Sequence, residues 1–185
     1  VSGTTLQIIE GEPESRPRLP ARPGLGPSDF SAAAVWQRIE QWIAWRWGAR
    51  ACTFIVEGGG GSWRPPLVPF VTEAVEGWDG EAWVPVTLPA FPLGGVRLGS
   101  APFYRFSGTL GSSDAPPADV AEAYHRLADH FAAIRTHSPM LGSSRHEQTF
   151  DGGGSVSIER APTWTARAII NSGAADLLRP WRRAP

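Results

Sequence analysis

The chain has 185 residues, a formal net charge of −1 and a hydrophobic share of 42%, enough for one domain with a core and too little positive charge for a polycation that grips nucleic acid by its phosphates. Its 21 glycines and 18 prolines, about a fifth of the chain, assign an unusual share to loops, turns and extended arms. All 17 basic residues are arginine, which suits interface ion pairs, and the single cysteine, Cys52, excludes an intrachain disulfide.

Residues 1–27 begin with a short β-prone run, Thr4 to Ile9, and continue through prolines 13, 17, 20, 23 and 27, which rule out a regular helix. They read as an extended arm, either a disordered tail or a segment laid on a neighbouring subunit. No basic, apolar leader opens the sequence, and no stretch has the length of a membrane span. The expectation is a protein assembled in the cytoplasm, with Cys52 a buried, inert thiol in its apolar run.

Residues 28–137 read as the core domain. Ser28 is a suitable N-cap for a first helix over Phe30 to Trp47, with Gly48 as its stop. Trp36, Ile39, Ile43 and Trp47 share one face, and Trp42 and Trp45 flank it, so apolar surface wraps more than half of the helix. With nine tryptophans in the chain, the excess on this helix asks for a second partner. Trp36, Trp42, Trp45 and Trp47 are therefore candidate subunit-interface residues. Ala51 to Glu57 is a short strand that ends in Gly58 to Gly61. No Gly-Lys-Ser/Thr follows, so this glycine run is a loop and not a phosphate cradle. Asp79-Gly80 separates two β-prone runs, Phe70 to Trp78 and Glu81 to Leu88, and predicts a two-residue hairpin turn. Pro85 marks the second run as an edge strand. Val96 to Leu98 and Phe103 to Gly108 add short strands.

The clearest helix follows Pro116-Pro117. Val120, Tyr124, Leu127, Phe131 and Ile134 recur at helical spacing and form one apolar stripe, with Asp119 and Glu122 near the N-terminus. Residues 138–163 read as a polar loop with one short strand, Val156 to Arg160. Residues 164–185 form a tail in which Trp164, Leu177, Leu178 and Trp181 mix with Arg167, Arg179, Arg182 and Arg183. Gly173 breaks its helical pattern. With the main elements already covering one another, the tail is expected to be mobile when free and to dock on a partner.

No catalytic constellation has the right spacing. There is no Gly-x-Ser-x-Gly elbow and no His-Glu-x-x-His; His125 and His130 are five apart, and carboxylates such as Glu73 and Glu76 fall on strands. The reading is of a non-enzyme with no catalytic residue, metal site or cofactor. The fold class is α+β: two main amphipathic helices, a short antiparallel hairpin or sheet, and extended arms at both ends.

The order of pieces resembles the head–tail connector (adaptor, head-completion) proteins of tailed bacteriophages and gene transfer agents. The residues that carry the resemblance are Leu88-Pro89, Pro92-Leu93, Tyr104-Arg105, Gly108 and Pro117 to Ala121. The resemblance implies a ring, typically dodecameric, between the portal and the next ring of the neck or tail, with genomic DNA passing through the lumen unread. It implies a place in the virion neck, assembly in a bacterial host and a C-terminal segment docked on the portal. The candidate docking residues are then Trp164, Arg167, Leu177, Leu178, Arg179, Trp181, Arg182 and Arg183. Two other readings stand beside it. One is a neck stopper or tail-terminator ring, which leans more on β-structure. The other is a carbohydrate-binding module with Trp63, Trp78 and Trp83 as a stacking platform.

Overall fold

The computed structural model describes residues 3–20, 31–92, 94–136, 145–149, 155–159 and 167–182. The chain divides into two compact units, the first built mainly from residues 1–18 and 43–116, the second from 19–42 and 117–180.

The first unit is organised by β2 (Arg50–Glu57), whose residues alternate between buried and exposed. Cys52, Phe54 and Val56 point into the core; Ala51, Thr53 and Ile55 face the other way, as a period of two dictates. β1 (Thr4–Glu10) pairs with one edge of β2, and β7 (Phe103–Leu110) pairs with the other, opposing Phe54 to Phe106 and Val56 to Tyr104. β4 (Phe70–Trp78) and β5 (Trp83–Pro85) extend an all-antiparallel five-stranded sheet in the order β1-β2-β7-β4-β5. A small ladder of β3 (Ser62–Trp63) and β6 (Val96–Arg97) supplies Trp63 to the core. Trp63 stacks on Phe106 at 4.2 Å between ring centroids and meets Phe54 edge-on at 5.6 Å. Its indole N–H donates to the Thr5 hydroxyl at 2.9 Å, which satisfies the one polar atom of a buried tryptophan. Each such large side chain removed from water stabilises the fold by about 1.5–3 kcal/mol.

The second unit contains α1 (Ala32–Trp42), α2 (Ala118–Thr136), a hairpin of β8 (Arg145–Thr149) and β9 (Ser155–Glu159), α3 (Ala168–Asn171) and α4 (Ala174–Leu178). Val120 and Leu127 on α2 are buried as the apolar stripe predicts. Tyr124 lies 5.0 Å from Trp36 of α1, centroid to centroid. The side chain of Ile134 lies outside the described residues.

Several sequence expectations change. α1 ends at Trp42 rather than Trp47. Beyond it, the Arg46 N–H donates to the Val68 carbonyl and the Val68 N–H to Ala44, while the Gly48 N–H donates to the Ser112 carbonyl and the Ser112 N–H to Arg46, so Trp45 and Trp47 sit in an extended segment. These long-range bonds override a helical pattern that could have continued. The hairpin loop has four residues between paired Trp78 and Trp83, because the Asp79 carboxylate accepts from the backbone N–H groups of Glu81 and Ala82 and holds a wider turn. The expected polar loop contains β8, the partner of β9. Pro85 does lie on an edge strand. The sheet is larger than a short hairpin, because Thr4–Glu10 and Phe103–Leu110 both join it along most of their length. The fold class is α+β, with four α-helices and antiparallel strands among the described residues.

The tail also differs from expectation. Gly173, at a φ of 73° that favours glycine, separates α3 from α4. Both short helices pack on α2, and Ala168, Ile169, Ala174 and Leu178 are buried. The described part of the tail therefore has a core to join within its own chain.

Candidate interaction surfaces

The nearest thing to a built site in the first unit is a cluster of three tryptophans. Trp45 and Trp47 lie 6.2 Å apart, and Trp181 meets Trp45 edge-on at 5.5 Å and Trp47 at 6.1 Å. The segment that carries Trp45 and Trp47 is pinned by two arginines. The Arg50 guanidinium donates to the carbonyls of Trp47 and Gly48 and, at 2.7 Å, to the Glu10 carboxylate. Arg46 reaches the same carboxylate oxygen at 3.1 Å and donates to the Ile43 carbonyl. Arg50 is buried, so its pairing with Glu10 and two carbonyls removes the cost of an isolated buried charge. The arrangement is structural: it locks residues 43–50 to the end of β1.

Of the candidate interface residues, Trp36 and Trp47 are buried within the chain at 1% exposure and offer no surface to a neighbour. Their places against Tyr124 and the tryptophan cluster explain this. Trp42 and Trp45 are half-buried and keep an outward edge. Among the candidate docking residues, Leu178 is buried and presents nothing outward, Leu177 and Trp181 are half-buried, and Arg167, Arg179 and Arg182 are exposed. Trp164 and Arg183 lie outside the described residues.

The outward face of the sheet carries Trp78 and Trp83, 5.4 Å apart at 62°. The Arg105 guanidinium lies 4.9 Å over the Trp83 ring and donates to Glu76 at 2.6 Å. That hydrogen bond holds the Glu76 carboxyl below its ordinary range. The stacking platform needed by a carbohydrate-binding module is not assembled. Trp63 is in the core, and Trp78 and Trp83 meet edge to face rather than in one plane.

Two surfaces take shape only in the fold, the first within the arm that the sequence offers to a neighbouring subunit. One is the outer edge of β1, where Leu6, Ile8 and Ile9 are 53%, 41% and 53% exposed. The other is a recess of about 340 Å³ in the second unit, lined by Arg38, Gln41 and Trp42 of α1 and by Arg167, Ile169 and Ile170. Arg167 and Trp42 were already candidates; Ile170 at 54% exposure was the remaining signal, an aliphatic residue left at a surface. No group of His, Cys, Asp and Glu suited to a metal ion occurs among the described residues, and no described helix is long and apolar enough to cross a membrane.

No protein-family model matches the chain, and no curated protein matches it. Among solved structures the chain is similar to one from "Virion of native gene transfer agent (GTA) particle", with 18% identity, a TM-score of 0.48, and coverage of 89% of this chain and 85% of that one. An overlap of that extent leaves function to be argued from the residues.

Proposed function

We propose that the chain is a structural virion protein, a head–tail adaptor whose copies form a ring, dodecameric by the family resemblance, between the portal and the next ring of the neck or tail. Genomic DNA passes through its lumen without being read. The observation that carries this reading is apolar surface on both compact units that none of the described residues covers: Leu6, Ile8 and Ile9 along β1 in the first, and Ile170 in the lining of the recess in the second. A ring subunit needs two such surfaces, one for each neighbour. The exposed guanidiniums of Arg179 and Arg182 supply charge for acidic groups on the portal. Removal of the protein from the producing cell is expected to leave heads without attached tails. Normal tailed particles in its absence would refute the reading.

A second reading, a neck stopper or tail-terminator ring, is favoured by one observation: strands hold more of the described residues than helices do. Binding separates the two. An adaptor binds the isolated portal directly, whereas a stopper or terminator binds only after another ring is in place.

A further inference from the structure

The recess on the second unit has a mixed lining: two guanidiniums and an amide around the Trp42 indole and two isoleucines, with no carboxylate. Among the described residues Arg167 enters no ion pair. At about 340 Å³ the recess is at the small end of ligand sites, room for one or two side chains. Its chemistry calls for a segment with an aliphatic side chain to insert and a carboxylate to meet the Arg167 guanidinium.

One described segment of the same chain fits. Leu6, Ile8 and Ile9 are exposed on β1, and the exposed Glu12 and Glu14 follow, neither in an ion pair among the described residues. Glu10 is already engaged by Arg46 and Arg50, so the charge left for a partner belongs to Glu12 and Glu14. At about 3.3 Å per extended residue, Glu12 sits about 10 Å beyond Ile9, within reach of the rim once the isoleucine is inserted. β1 is also the unguarded edge of the sheet. It is seven residues long with no proline or basic residue, whereas the opposite edge, β5, is three residues long and ends in Pro85.

We infer that residues 6–14 of one copy dock in the Arg38–Arg167 recess of a second copy. This inference rests on the homo-oligomeric reading above. The two surfaces use different residues, so the contact is heterologous, the kind that builds a ring when the rotation between successive copies closes. The acidic strand is the ligand of the recess, and Ile9 is its apolar anchor.

Charge reversal on each side tests the pairing in the full-length chain. The Arg38→Glu/Arg167→Glu variant and the Glu12→Arg/Glu14→Arg variant are each expected to weaken self-association at least about tenfold, with far-UV circular dichroism unchanged. A mixture of the two variants restores it, because every contact in an alternating assembly then joins opposite charges. Ile9→Cys on one population and Ile170→Cys on another should join through a short bismaleimide. Buried Cys52, with its thiol pushed up to about 11, stays silent. An oligomer that forms, yields no such cross-link and ignores both charge reversals overturns this inference and leaves the ring reading standing. A chain that remains monomeric alone and with portal overturns both.

Discussion

Replacing Leu178 by alanine tests whether the C-terminal tail belongs to the fold. Leu178 lies on α4 with none of its surface exposed, and α4 packs against α2. The change removes three carbon groups, about 2.4 kcal/mol of transfer free energy at about 0.8 kcal/mol each. The cavity left behind raises the cost to roughly 3–5 kcal/mol, the range of buried leucine truncations. At about 2–4 °C per kcal/mol for a chain of this size, the melting temperature should fall by roughly 6–20 °C. The control is Arg179→Ala, one residue further on and exposed, which should stay within about 0.5 kcal/mol. Urea and thermal unfolding followed by far-UV circular dichroism read both variants on the α2 helical signal. A Leu178→Ala loss no larger than that of Arg179→Ala would mean that the tail is detached in solution, and the packing of α4 on α2 would be refuted.

Three further outcomes follow from the sheet. Gly108→Ala should cost about 1–3 kcal/mol in a urea titration, because a Cβ there meets the Val71 carbonyl across β4 and backbone cannot yield as a side chain can; a neutral substitution would contradict the β4–β7 register. Trp63→Ala should cost about 3–5 kcal/mol and leave retention on a polysaccharide column unchanged, since its ring is stacked in the core; a stable variant with altered retention would revive the stacking-platform reading. Cys52 should resist thiol reagents at neutral pH until urea is added. Burial and the nearby Glu10 raise its thiol from 9.0 to about 11. The unfolded chain therefore loses that proton first, and stability should decline as pH rises between those values. Rapid labelling of the native protein would place Cys52 outside the core.

Local chemistry was legible wherever it decided the outcome. The stripe from Val120 to Leu127 gave α2 and its buried face, Gly173 gave the break between α3 and α4, and Pro85 marked an edge strand. Long-range pairing was not legible. The apolar pattern from Trp36 to Trp47 continues in helical spacing, yet the chain leaves the helix because Val68 and Ser112 offer hydrogen bonds to residues 44–48. Nothing within a window of that length signals partners so distant. The same holds for β1, visible as a β-prone run, whose place beside β2 depends on residues more than 40 positions away. For the surfaces, Arg167 and Trp42 stood out by type. The recess they share with Arg38, Gln41, Ile169 and Ile170 exists only once α1 and α3 are folded.

The central claim is that copies of this chain close into a ring seated on a portal. The most direct measurement is the native mass of the full-length protein, alone and mixed with the portal. One closed oligomer of defined copy number that binds the portal as a unit is expected. A chain that stays monomeric in both samples would contradict it.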